Sequence, residues 1–169
     1  MTTRPASIGF DALIGLGSNI GDKVANIRRA IELLTRDGSL RLLAASRLYR
    51  TAPWGGVEQD WFVNACIAVA TRLAPRDVLA RCLAVEEAMK RIRRERWGPR
   101  VIDVDLLVYR GVTIDEASLT LPHPRITERA FVLVPLRDIA PGIEIAGRPL
   151  EDWLAGLDAS DVTAIGDAK

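Results

Sequence analysis

The chain has 169 residues, 49% apolar and 27% charged, a length and balance that fit one soluble domain able to bury a core. A net charge of +1 argues against a generally basic nucleic-acid binder, so any basic function must come from local clustering. Two distant cysteines and one histidine indicate neither a zinc site nor a disulfide framework, and no apolar run approaches a membrane span or signal core, so the cytoplasm is expected.

Residues 1–9 read as a loose start and residues 10–16 as a short strand. The strand runs into Gly15-Leu16-Gly17-Ser18-Asn19-Ile20-Gly21-Asp22. Its glycine spacing is one residue too long for a dinucleotide fingerprint, and no Gly-Lys-Ser/Thr follows as in a Walker loop. The segment reads as a strand-to-helix turn with Asp22 as N-cap. Val24, Ile27, Ile31 and Leu34 recur at helical spacing, predicting a helix to about residue 36 that Asp37-Gly38 closes. Residues 40–49 and 62–71 read as two strands. The Pro/Gly-rich loop between them carries Trp54, a lid over the core or over a ligand. Pro75 suits the first turn of a second helix. Val78, Leu79, Cys82, Leu83, Val85, Glu86 and Met89 would line its inner side.

Six basic residues follow (Lys90, Arg91, Arg93, Arg94, Arg96, Arg100), crowding up to a Gly98-Pro99 corner and a predicted strand over 101–109. Alternation puts Asp103 and Asp105 on one face of that strand with Val101 and Leu107, and Ile102, Val104 and Leu106 on the other. Carboxylates two positions apart lie roughly 7 Å from one another on a pleated strand. At an effective dielectric near 20 they repel by about 2 kcal/mol unless a cation lies between them. Hard oxygen ligands suit Mg²⁺, which binds one or two carboxylates plus substrate phosphates, and neighbouring arginines suit the phosphates themselves. The spacing alone does not choose between such a site and two solvated acids, which are the commoner outcome.

After Gly111 the pattern becomes irregular, through Leu119-Thr120-Leu121-Pro122-His123-Pro124, a short helical stretch and an apolar run over 131–139. The proline-bounded tail ends in an amphipathic helix over 150–157. The order β-α-β-β-α-β predicts an α+β fold of the ferredoxin-like, split βαβ kind, an antiparallel sheet with two helices on one face. Residues beyond Tyr109 would add a C-terminal cap of helix and loop. The whole chain, 1–169, is expected to be a single domain with its core over about 10–140.

Several strings in series resemble the hydroxymethyl-dihydropterin pyrophosphokinase (HPPK) family of folate biosynthesis. They are Gly17-Ser18-Asn19, Tyr49-Arg50-Thr51, Asn64-Ala65, Arg96-Trp97-Gly98-Pro99-Arg100 with Ile102-Asp103-Val104-Asp105, and Leu121-Pro122-His123 followed by Arg129 and Phe131. The resemblance spans residues 13–139 and implies transfer of a diphosphate group from ATP to the hydroxymethyl group of a dihydropterin. It implies that Asp103 and Asp105 hold two Mg²⁺ ions, and that Arg91 and Arg100 grip the phosphates in catalysis. Arg93, Arg96, Thr120, His123 and Arg129 resemble further ATP contacts. Asn64 resembles the amide that reads the pterin edge, Phe62 and Phe131 the rings that sandwich it, and Trp97 a lid residue. Backbone groups of Thr51, Ala52 and Trp54 would complete that pocket. Lys90, Leu83 and Pro124 depart from residues common in the family.

The implied partners are ATP and hydroxymethyl-dihydropterin, with neither nucleic acid nor membrane. A monomer is expected, with association with neighbouring folate enzymes left open. The main rival is an RNA-recognition module, which shares the split βαβ plan. The strands lack its Arg/Lys-Gly-Phe/Tyr-Gly/Ala-Phe string, and two acids would repel phosphate where no metal intervenes.

Overall fold

Strand β1 (Ala12–Ser18) is buried along its whole length, because it lies inside a six-stranded antiparallel sheet with a helical layer on each face. The computed structural model describes residues 9–53, 58–89 and 101–169. In chain order, β1 is followed by α1 (Lys23–Thr35), β2 (Leu40–Ala45), β3 (Arg47–Thr51), β4 (Phe62–Thr71), α2 (Pro75–Ala88) and β5 (Asp103–Tyr109). The C-terminal part adds a hairpin of β6 (Ile114–Glu116) and β7 (Leu119–Leu121), then α3 (Ala130–Ile139). A small hairpin of β8 (Glu144–Ile145) and β9 (Arg148–Pro149), α4 (Leu150–Ala155) and β10 (Thr163–Asp167) complete it. The strand order is β10-β3-β4-β1-β5, with β2 also paired to β4. This is the ferredoxin-like plan expected from the element order.

Alternation along the strands sorts side chains between two cores. Ala12, Ile14 and Leu16 of β1 join Val104 and Leu106 of β5 under α1 and α2, which contribute Ile27, Leu34, Val78, Cys82 and Val85. The opposite face carries Leu13, Cys66, Ala68 and Leu107 under Leu133, Leu136, Leu150 and Leu154 of α3 and α4. Asp22 caps α1 as its position suggests, accepting from the Ala25 amide at 3.0 Å.

Three details differ from the sequence expectation, and one apolar run takes an element the sequence did not name. The single strand predicted over 40–49 is two strands broken at Ser46, whose hydroxyl accepts the Cys66 amide at 2.9 Å and donates to the Arg47 carbonyl at 2.7 Å. The apolar run over 131–139 is helix α3, which carries Pro135 in its interior. Leu83 is 48% exposed, turned away from the core that Val78, Cys82 and Val85 enter. Strand β10, unforeseen, pairs with β3 and extends the sheet.

Candidate functional site

Two glycines on the central strand open the site. In the sheet register Gly17 lies between Asn64 of β4 and Asp103 of β5, and Gly15 between Cys66 and Asp105. Directly paired residues of neighbouring antiparallel strands point to the same face. These six therefore form two rows of three, with no side chain on the middle strand. The result is a slot of about 80 Å³ over the glycines, walled by Thr51, Phe62, Asn64 and Cys66 on one side and Asp103, Asp105 and Leu107 on the other. Arg129, Phe131 and Val132, at the start of α3, close it from above.

A β-bulge shapes the far wall. Leu13 pairs with Val108 and Ile14 with Leu106, so Leu107 is the extra residue. Its carbonyl accepts the His123 amide at 2.8 Å, tying the Leu121-Pro122-His123 segment to β5.

Within the slot Asn64 is buried, and its Nδ2 donates to Thr51 Oγ1 at 2.6 Å. That bond fixes the amide plane and turns Oδ1 towards Gly17. The strand entry just before Phe62 is held by Lys23, whose ammonium binds Asp60 at 2.8 Å and sits 3.6 Å from the Trp61 ring centre. Arg50 stacks on the same ring at 4.5 Å. Cys66 is no nucleophile: burial pushes its thiol far up, so it stays protonated as an apolar wall.

A second cavity, an open trough of about 420 Å³, adjoins the slot and shares Asp103, Asp105 and Arg129 with it. Leu79, Leu83 and Glu86 of α2 line one side, and Thr120, His123, Pro124 and Arg125 the other. Glu86 is buried and accepts the Val104 amide at 2.9 Å, fixing β5 between its two aspartates. Sequence reasoning set Glu86 on the inner face of the helix without a role; an acid among apolar neighbours was the available signal.

Burial draws the Arg129 guanidinium below its ordinary value; Asp105 opposes this, Arg125 adds to it, and Asp103 opposes it again. His123 is pushed down to about 4, first by burial and then by the positive charges of Arg129 and Arg125. Its Nδ1 accepts the Arg125 amide at 3.2 Å. The neutral ring therefore carries its proton on Nε2.

The structure thus brings Thr51, Ala52, Phe62, Asn64 and Phe131 to the slot, and Thr120 and His123 to the trough. Asp103, Asp105 and Arg129 stand at both. Trp54, Arg91, Arg93, Arg96, Trp97 and Arg100 lie outside the described residues. Sequence reasoning missed Gly15 and the slot-clearing role of Gly17. The signal was a Gly-x-Gly in a strand, matching the period of Asp-x-Asp.

Two hard carboxylates on one face suit Mg²⁺ in chemistry. Among the described residues no group of three or more His, Cys, Asp or Glu could enclose a metal ion. The remaining ligands would then be water and phosphate oxygens, the arrangement Mg²⁺ favours. No helix among the described residues is long and apolar enough to cross a membrane.

The family model for 7,8-dihydro-6-hydroxymethylpterin-pyrophosphokinase (HPPK) matches residues 13–141. A 2-amino-4-hydroxy-6-hydroxymethyldihydropteridine pyrophosphokinase of Methylorubrum extorquens is 49% identical over 154 residues, 91% of this chain and 98% of that protein. Proteins of the same name from Mycobacterium bovis (41% identical, 88% of this chain, 85% of that one) and Bacillus subtilis (38%, 79% and 80%) are also similar. Among solved structures, the wild-type Plasmodium falciparum HPPK-DHPS in a crystal with SDX-DHP superposes with a TM-score of 0.68 at 17% identity. The match covers 85% of this chain and 43% of that one, so this chain spans less than half the length of the fused protein. At that identity the likeness speaks for the fold.

Proposed function

The chain belongs to the 7,8-dihydro-6-hydroxymethylpterin-pyrophosphokinase family and is a pyrophosphokinase of folate biosynthesis that uses ATP, and from that premise we propose how its two cavities divide the reaction. The slot takes the hydroxymethyl-dihydropterin and the trough takes ATP. The observation that carries this reading is the shared wall, because Asp103, Asp105 and Arg129 line both cavities, where the hydroxyl of one substrate must meet the phosphates of the other.

In the slot a flat heterocycle would lie between the Phe62 and Phe131 rings, with Asn64 at its edge offering both a donor and an acceptor. Backbone groups of Thr51 and Ala52 flank that edge. In the trough, Leu79 and Leu83 offer apolar surface to the nucleobase. Neutral His123 would donate from Nε2 to a phosphate oxygen, and Arg129 would set a guanidinium against the transferred group. Asp103 and Asp105 would hold two Mg²⁺ ions. When bound, Mg²⁺ neutralises the phosphates and lowers the pKa of the pterin hydroxyl. That hydroxyl attacks the β-phosphorus, the β,γ-diphosphate moves as a unit, and AMP departs. Trp54, Trp97 and the arginines at 91, 93, 96 and 100 belong to the same proposal through the family resemblance alone. So does a cytoplasmic monomer that can dock on a neighbouring folate enzyme.

The test is phosphorus NMR of the protein with ATP, Mg²⁺ and hydroxymethyl-dihydropterin. AMP and a pterin diphosphate are expected. ADP with a monophosphate ester would overturn the reaction as written.

A further inference from the structure

The family match ends at residue 141, yet the sheet does not. Strand β10 returns to β3 in antiparallel register, Thr163 opposite Arg50 and Ala164 opposite Tyr49, with a bulge at Ile165 before Gly166 meets Leu48. The tail beyond is anchored as well. The Ala168 amide donates to the Ser46 carbonyl at 3.3 Å, Arg28 of α1 binds the Asp167 carbonyl at 3.1 Å, and Ala168 is buried in the core.

Continuing the Thr163–Arg50 register two residues outward sets Asp161 opposite Ala52. At that step the side chain takes over from the ladder: Asp161 Oδ2 accepts the Ala52 amide at 3.3 Å. Ala52 and Thr51 line the slot, and Thr51 fixes the amide of Asn64. A line of control therefore runs from the C-terminal strand to the residue that reads the pterin edge.

We propose that Asp161 is a positioning residue for pterin recognition, holding the Thr51-Ala52 wall of the slot from a strand outside the family-matched region; this rests on the assignment of the slot to the pterin. Asp161 is exposed and stands at the rim, so its effect passes through Ala52 and Thr51. A charged acceptor makes a stronger bond to a backbone amide than a neutral carbonyl would. Among the described residues the β10 ladder stops at Arg50, so on that side Asp161 takes its place at the end of β3.

The test is calorimetric titration of hydroxymethyl-dihydropterin into the full chain with Mg²⁺ and a non-hydrolysable ATP analogue present. It is run for the unsubstituted protein, Asp161→Ala and Asp161→Asn, with a melt of each. Asp161→Ala should weaken pterin binding about fivefold, as expected for one lost hydrogen bond, with the ATP analogue's affinity and the melting temperature unchanged. Asp161→Asn, which keeps an acceptor oxygen, should recover most of the loss. Unchanged pterin affinity in Asp161→Ala, equal weakening of both ligands, or no recovery in Asp161→Asn would each overturn the proposal. Titration reads the slot without turnover. Failure of the unsubstituted protein to form AMP would count against the reaction, and failure of pterin to bind against the slot's assignment.

Discussion

Gly17 and Asn64 are direct partners across β1 and β4, and a Cβ on Gly17 would stand 2.7 Å from the Asn64 Oδ1. Real Cβ atoms do not come that close to a neighbour, so the amide can hold its place only opposite a glycine. Gly17→Ala should therefore push Asn64 off Thr51 and behave like Asn64→Ala. Each should weaken pterin binding by about 1–3 kcal/mol, with ATP binding nearly normal. Because both act on one amide, the double variant should lose little more than either single one. Calorimetry with each ligand separately checks this; equal losses for pterin and ATP would make the pair a support of the fold.

Asp103→Asn and Asp105→Asn should each abolish turnover while leaving folding intact. Removing one carboxylate also removes its repulsion with the other, so the melting temperature without metal should stay level or rise. The extra stabilisation conferred by Mg-ATP should shrink. Near-normal activity in both variants would mean that the metal site has been assigned to the wrong residues.

His123 gives a pH signature. Its folded value of about 4 lies below the ordinary 6.5, so between these limits the unfolded chain takes up more protons than the folded one. Its contribution to stability is complete above 6.5 and is lost as pH falls towards 4. Melts from pH 7 to 4.5 should therefore drop less steeply for His123→Gln. An NMR titration of the ring should give a midpoint near 4 in the empty protein, rising when Mg-ATP brings negative charge beside it. A midpoint near 6.5 in the empty protein would contradict the burial and the arginine field described above.

Asp138 of α3 gathers Tyr49 Oη at 2.7 Å, the Arg47 amide at 3.1 Å and the Arg47 guanidinium at 3.1 and 3.3 Å. Tyr49 is only 2% exposed, and burial followed by the bond to Asp138 pushes its phenol up to about 12. Burial also acts to raise Asp138, but the bonds from Arg47 and Tyr49 outweigh it and leave the carboxyl below its ordinary value. Its contribution is thus present above the ordinary carboxylate range and lost as pH falls through the lowered value. Tyr49→Phe should cost about 1–2 kcal/mol in urea unfolding, since a partly buried carboxylate loses a donor. An unchanged midpoint would show that Arg47 and water suffice.

Much of this was legible in strands and helices with their own period. Asp103 and Asp105 alternate with Val104 and Leu106, and that alone predicted their shared face. Asp22 could be read as a cap because a capping side chain bonds within its own turn. Ser46, β10 and Asp161 were not legible, because each is defined by a partner far along the chain: Cys66, β3 and Ala52. The strand propensity of residues 163–167 is weak, and only pairing with β3 makes them a strand. Leu83 misled for a related reason. Helical spacing gives it to the inner stripe, whereas the trough borders that side of α2.

The glycine floor of the slot also limits how the enzyme could escape an inhibitor. A pocket lined by side chains can be widened by shortening them, but Gly15 and Gly17 have nothing left to remove. Variation there can only add atoms. At Gly17 the first atom added collides with Asn64, and at Gly15 it would come within 3.2 Å of Leu107 Cδ1. If the slot holds the dihydropterin as proposed, a compound that lies flat on this floor and reaches no further than that substrate would leave resistance little room to arise there without injuring substrate binding as well.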